Sequence, residues 1–307
     1  MLTVTAAQSS QQSWALSLLF SQSSDVERVE QISEWLESAR CRAVSLDGLL
    51  TTVGEGDLAG VVFYVLQADR SAVIWPPRVQ PKTDARRDEL CDALLQEVGR
   101  RIDVADVWLG QCIVKPEATT DRSALNRNGF QHLADLFYLQ RPLNEPLAEP
   151  PEIAFETLMY SSSNRQRFAR ILEETYIGTL DCPDFHGLRS GAEALESHRT
   201  SGEFDASRWK IYCIGGCDVG VLLLNDHPQQ NAWEVVYTGV VPQARGQGYG
   251  RAILIAGLNE AQAAGRATVV LAVDSKNIYA NKVYSELGFL ELTRRSVHVR
   301  RRFSSGI

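Results

Sequence analysis

Apolar residues recur at helical spacing in RRDELCDALLQEVGRRI (86–102), and they do so again in the segment that follows residue 250, RAILIAGLNEAQAAG. Between such segments lie short β-branched runs, DVWLGQCIV (106–114), WEVVYTGVVP (233–242) and TVVLAVD (268–274), which read as buried strands. The order of elements looks alike on either side of RPLNEPLAEPPEI (141–153). Each half begins with a strand and amphipathic helices, continues as a meander of strands, and closes with a helix, a strand, a short helix and a final strand.

In both halves a strand ends in proline before a helix, at Val79-Gln80-Pro81 and at Val240-Val241-Pro242. The halves also end alike, NRNGFQHLADLFYLQR (126–141) against SELGFLELTRRSVHVR (285–300), with Gly129-Phe130 answering Gly288-Phe289. There a glycine closes a helix in the left-handed conformation and the phenylalanine turns back onto the core. An internal duplication of a mixed α/β unit is the reading. The prolines between the halves remove backbone donors and disfavour helix, so the expected division is 1–141, an extended linker at 142–152, and 153–307.

At 307 residues and 44% hydrophobic content, two domains with real cores are expected. A formal net charge of -7, from 31 basic and 38 acidic side chains mixed along the chain, gives no drive toward nucleic acid or an anionic membrane. The N-terminal segment has no basic leader and its apolar run is broken at Ser17, so a cytoplasmic location is expected. The cysteines Cys41, Cys91, Cys112, Cys182, Cys213 and Cys217 form no CxxC pair, and neither a metal site nor structural disulfides are expected of them.

The sharpest chemistry lies between Trp233 and Phe289. Arg245-Gly246-Gln247-Gly248-Tyr249-Gly250-Arg251 stands between a strand and a helix. Alternate glycines let a ligand approach the backbone, and the helix start offers unpaired amides with partial positive charge. Such a turn is either a tight connection or an anion cradle. It lacks the Lys-Ser or Lys-Thr of a nucleotide P-loop, and its glycines are G-x-G-x-G rather than G-x-G-x-x-G, which disfavours ATP and NAD.

The run V-x-P-x-x-R-G-x-G-x-G resembles the coenzyme A signature of the GNAT (GCN5-related) N-acetyltransferases, with Arg245, Gly248 and Gly250 in the pattern. VDSKNIYANKVYSELGF (273–289) resembles the family's second motif through Asn277, Ala280, Tyr284, Gly288 and Phe289. The resemblance implies tandem GNAT-like domains, each a twisted, mostly antiparallel sheet flanked by helices. It implies acetyl-coenzyme A as cosubstrate and an amine, on a small molecule or a peptide, as acceptor. The strand ending at Val241 would splay from 268–274, with Val240, Val241 and Pro242 along the pantetheine arm. Amides from Gly246 through Arg251 would hold the pyrophosphate, and Asn277 and Tyr284 would lie near the reactive end.

Within that resemblance Tyr284 would be the acid for the departing thiolate, the alternative being a core tyrosine with its hydroxyl at the rim and Tyr279 or Tyr237 as substitutes, and Glu234 would be the base, the alternative being an ion pair or an exposed strand end. Strand alternation would put Glu234, Val236 and Thr238 on one face and Trp233, Val235 and Tyr237 on the other. Acceptor selectivity would come from 161–205, where Asp181, Cys182, Asp184, His186, Arg189 and Glu193 form either a pocket or a solvated loop. In the first half, Lys82 to Glu89 replaces the glycine turn and brings Asp84, Asp88 and Glu89, so that half is expected to have no coenzyme affinity. A noncatalytic acyl-coenzyme A sensor is the competing reading, and the oligomeric state is not legible.

Overall fold

A computed structural model describes residues 2–302 except 22–23, 41–44, 55, 68, 150–151 and 184–189. The chain forms two compact units, one of Met1–Leu133 with Ser296–Ile307, the other Ala134–Arg295.

In the first unit the strands β1 (Val4–Ala6), β2 (Leu49–Gly54), β3 (Asp57–Leu66), β4 (Ser71–Val79) and β5 (Leu109–Val114) lie side by side in that order. All neighbours are antiparallel except β4 and β5. Helices α1 (Ser9–Leu19) and α2 (Asp25–Arg40) accompany a core of Leu16, Leu19, Leu49, Val61 and Phe63, against which Trp35 and Trp75 pack. A second core joins α3 (Arg87–Val104) and α4 (Thr119–Arg127) to the sheet through Leu90, Leu94, Leu95, Val98, Leu125 and Phe130.

The second unit has strands β6 (Gln131–Pro142), β7 (Glu156–Met159), β8 (Trp209–Ile214), β9 (Cys217–His227), β10 (Ala232–Val240) and β11 (Thr268–Asp274), in the order β6-β11-β10-β9-β8-β7. Its helices are α5 (Arg165–Tyr176), α6 (Gly191–Arg199), α7 (Tyr249–Ala263) and α8 (Ile278–Glu286). Trp209, Phe168, Leu172, Ile211, Leu223 and Ile253 are fully buried in its core. Gly257 lets α7 lie on β9, because a β-carbon there would stand 2.7 Å from Leu222 Cδ2.

Division by chain order and division by packing differ in two strands. β6, from the first half, pairs antiparallel with β11 from Thr268↔Pro142 to Asp274↔Leu136. The end of β12 (Leu290–Arg301) pairs with β5 from Ser296↔Val114 to Arg301↔Leu109. Each unit thus takes a strand from the other half of the chain. The start of the proline-rich stretch is tied to the second unit rather than loose: Leu143 donates its amide to Ala267 O at 2.8 Å, and Arg141 donates to the carbonyls of Pro142 and Pro146 at 2.7 Å each.

One detail of the first unit bears on function. β4 pairs with β5 only from Ser71↔Leu109 to Ile74↔Cys112, although it continues beside β3 to Val79. Beyond the paired part, Arg78 of β4 bonds Asp121 of α4 at 3.0 Å, with side chains only 13% and 9% exposed. A largely buried ion pair therefore ties the unpaired end of β4 to α4. Arg78→Ala leaves Asp121 with Arg87 alone, at 3.7 Å, and should lower the unfolding free energy by about 3 kcal/mol in denaturant titration.

Candidate active site

β10 pairs with β9 along its whole length, from Ala232↔His227 to Val240↔Gly220. Its parallel pairing with β11 stops after Glu234↔Val270. Past that point the strands part, and a cavity of about 840 Å³ opens between them. It is lined by Val235 to Val240 of β10, Leu271 to Val273 of β11, the turn before α7, and Asn277, Ala280, Val283 and Tyr284.

The turn is built by main-chain conformation. Pro242–Ala244 make one 3₁₀ turn, Gly246 and Gly248 take φ of 78° and 80°, and Gly248 is the N-cap of α7. A β-carbon on either glycine would meet nothing within 4 Å, so glycine is needed there for the left-handed backbone rather than for space. No side chain caps α7 and no acidic residue sits in its first turn. The bond from the Ala252 amide to Gly248 O, at 3.1 Å, opens the helical ladder. The amides from Gly246 through Arg251 precede it, at the mouth of the cavity, with the partial positive charge of a helix start.

Arg245 works differently from its neighbours. Its guanidinium donates to Val240 O at 3.1 Å, Thr175 O at 2.9 Å and Gly178 O at 3.3 Å. The side chain locks the end of α5 to the end of β10, so its donors are spent on the protein's own carbonyls.

Asn277 lines the cavity and caps α8, its side-chain oxygen accepting from the Ala280 amide at 3.2 Å. Tyr284, two turns on, also lines the cavity and is 6% exposed, its ring 5.4 Å from Phe289. Burial pushes its phenol well above the ordinary tyrosine value, and the nearby Asp181 carboxylate adds to the effect.

Glu234 lies just outside the lining, where β10 and β11 are still paired. Its Oε2 accepts from Ser201 Oγ at 2.6 Å and meets His227 Nε2 at 2.8 Å, with the side chain 27% exposed. The alternation expected along this strand holds only as far as Val235. A β-bulge between Val235 and Tyr237 inserts one residue, and such an insertion reverses the faces beyond it. Tyr237 consequently reaches the α5 side, where its hydroxyl lies 2.7 Å from Thr175 Oγ1 and its ring 5.6 Å from His198 of α6.

Of the polar residues expected near the acceptor, Asp184, His186 and Arg189 lie outside the described residues. Glu193 serves as a helix cap, its carboxylate accepting from the Ser190 amide at 2.8 Å and hydroxyl at 2.9 Å. Asp181 is the one that lines the cavity. It accepts from the Asp274 amide at 2.9 Å, while Cys182 donates its amide back to Asp274 Oδ2 at 3.2 Å. Among the described residues no cluster of His, Cys, Asp and Glu could hold a metal ion, and no helix is long and apolar enough to cross a membrane.

Residues 165–289, which span α5 to the end of α8 and hold every cavity-lining group, match the family described as Acetyltransferase (GNAT) family. This segment is a GNAT acetyltransferase domain. The chain is 26% identical over 243 residues to a mycothiol acetyltransferase of Pseudarthrobacter chlorophenolicus, covering 76% of this chain and 71% of that protein. It is 44% identical over 61 residues to a mycothiol acetyltransferase of Frankia casuarinae, covering 20% of this chain and only 18% of that relative's length. A GCN5-related N-acetyltransferase of Sphaerobacter thermophilus shares the fold along nearly the whole chain, with a TM-score of 0.66, 16% identity, and coverage of 98% of this chain and 95% of that one. The GNAT likeness in fold thus extends beyond the matched segment to the first half.

Proposed function

We propose that this chain transfers an acetyl group from acetyl-coenzyme A to an amine. The observation that carries the proposal is the pair of uncapped α7 amides and parted strands opening on one cavity of about 840 Å³. A dianionic pyrophosphate matches the amides of Gly246 through Arg251 in charge and donor geometry. The pantetheine arm would lie on the stretch of β10 from Val236 to Val240, taking up main-chain groups that β11 leaves unpaired there, with Val241 and Pro242 at its outer end. A second cradle is not expected in the first unit, where that turn carries Asp84, Asp88 and Glu89 and a largely buried Arg78–Asp121 pair ties the end of β4 to α4. One coenzyme per chain is the expected stoichiometry.

The chemistry needs a neutral amine, a donor to the thioester oxygen, and a proton for the departing thiolate. A main-chain amide near Val240 would meet the oxygen. Tyr284 is the proton donor in this proposal, supported by its place in the lining and by a phenol that burial keeps protonated. Glu234 is the base that the sequence resemblance suggests, and from its position it would act through His227 or a water. A direct base loses about 100-fold or more in kcat when neutralised. Glu234→Gln keeps an acceptor for Ser201, and a loss of less than about tenfold is expected of a carboxylate acting at one remove.

The acceptor panel follows from the class of reaction: peptides, polyamines, aminoglycosides and cysteinyl sugars, with release of free thiol from acetyl-coenzyme A as the readout. Turnover of at least one amine supports the proposal. Tight coenzyme binding with no acetylation of any of them is the result expected of an acyl-coenzyme A sensor.

A further inference from the structure

The cavity contains a carboxylate that the acetyl-transfer reading has not yet used. Asp181 follows α5, and its Oδ1 accepts from the Asp274 amide at the end of β11 at 2.9 Å. The Asn277 side chain, at the N-cap of α8, stands near it and partly offsets the effect of burial. The reciprocal bond from the Cys182 amide to Asp274 Oδ2, at 3.2 Å, fixes the loop against the strand. Among the described residues, the titratable groups that interact with Asp181 are Asp274 from β11, Tyr284 from α8 and Tyr237 from β10. None of these three is a cation, and Arg245 of the same lining gives its guanidinium to the carbonyls of Val240, Thr175 and Gly178. Among the described residues Asp181 has no ion-pair partner, and burial, with Asp274 adding to it, raises its pKa above the ordinary carboxylate value.

A half-buried carboxylate with no cation beside it is costly unless something positive arrives to meet it. The reactant that arrives positive is the acceptor amine. We infer that Asp181 is the carboxylate that receives the acceptor's ammonium group and takes its proton. The inference rests on the acetyl-transfer reading and changes only the base in it, moving that role from Glu234, which lies outside the lining, to a residue inside it.

The ammonium gives one N–H proton to the Asp181 carboxylate, and the freed lone pair attacks the thioester carbon, forming the C–N bond as the carbonyl π pair moves to oxygen. On collapse the C–S bond breaks with its pair on sulfur, which takes the phenolic proton of Tyr284. The phenolate takes the second proton of the new amide nitrogen, and Asp181 releases its proton to solvent. One ammonium and one thioester give one amide, one thiol and one proton.

Asp181→Asn retains an acceptor for the Asp274 amide, so the loop bond survives while the charge is lost. Full-length protein, Asp181→Asn and Glu234→Gln are compared with acetyl-coenzyme A and whichever amine of the panel the parent acetylates. Expected for Asp181→Asn are a fall in kcat/KM for the amine of about 100-fold, unchanged affinity for coenzyme A by calorimetry, and loss of the acidic limb of the pH profile. Glu234→Gln should keep that limb. A raised pKa in the folded state means that ionising Asp181 costs stability above the ordinary carboxylate range, so Asp181→Asn should melt no lower than the parent at neutral pH. An unchanged acidic limb in Asp181→Asn, its loss in Glu234→Gln instead, a drop in coenzyme affinity, or a lower Tm with full activity would each overturn the inference while leaving acetyl transfer standing. Failure of the parent to acetylate any amine would remove the acetyl-transfer reading and the inference with it.

Discussion

Gly248→Asp should bind acetyl-coenzyme A about 100-fold more weakly than the parent, while Gly248→Ala should lose only about a fivefold factor. Both variants force a β-carbon onto a backbone with φ of 80°, a strain of about 1 kcal/mol for most residues and less for aspartate. Neither has a steric clash to relieve, because nothing lies within 4 Å of the added carbon. What separates them is charge. A carboxylate about 5 Å from a bound phosphate costs about 3 kcal/mol at an effective dielectric of 20, which is about 100-fold in affinity. Calorimetric titration measures both constants. Equal losses for the two variants would mean that the turn matters for its shape and not for an anion.

Tyr284→Phe should reduce kcat about 100-fold and leave the KM for acetyl-coenzyme A within about threefold of the parent. The ring keeps its packing on Phe289, so loss of the hydroxyl is the main change. The pH dependence follows from the same burial. With the phenol held above its ordinary value, the donor stays protonated through neutral and mildly alkaline pH, and it should contribute no alkaline limb to kcat below about pH 10. The folded state then holds a proton that the unfolded state loses, so this group's effect on stability turns unfavourable as pH rises above about 10. Steady-state kinetics with thiol detection gives the kcat and KM split; a change in KM alone would assign Tyr284 to binding.

Much of the site is legible in the sequence because its parts are local. The glycines of the α7 turn, the proline that ends β10 and the Asn277 to Phe289 run each specify a conformation or a cap within a few residues. The parting of β10 from β11 is also legible, through the resemblance that those motifs carry. Other features depend on partners far along the chain. Nothing local in Gln131–Pro142 says that it will pair with Thr268–Asp274, since alternation marks a strand and not its neighbour. The bulge at Val236 leaves no trace in a run of apolar residues, which is why Tyr237 reverses the face that simple alternation assigns to it. Arg245 stands in a coenzyme motif but spends its side chain on Val240, Thr175 and Gly178. Asp181 is one polar residue in a polar segment, distinguished only when folding brings the Asp274 amide and Asn277 against it.

The two halves share a layout and differ at the corresponding place in it. Both contain a parallel strand pair that parts after a few residues, from Ser71–Ile74 in the first unit and from Ala232–Glu234 in the second. In the second unit the gap is an open cavity; in the first, the corresponding region holds Arg78 and Asp121. Lys82 to Glu89 stands where the second half has its glycine turn, and on that difference rests the proposal that the first unit takes no coenzyme.

A crystal structure of the protein soaked with acetyl-coenzyme A is the most direct test. Pyrophosphate oxygens are expected within hydrogen-bonding reach of main-chain amides between Gly246 and Arg251, with the thioester in the cavity beside Tyr284 and Asp181. A ligand bound elsewhere, or a second molecule seated on the first unit, would contradict this placement.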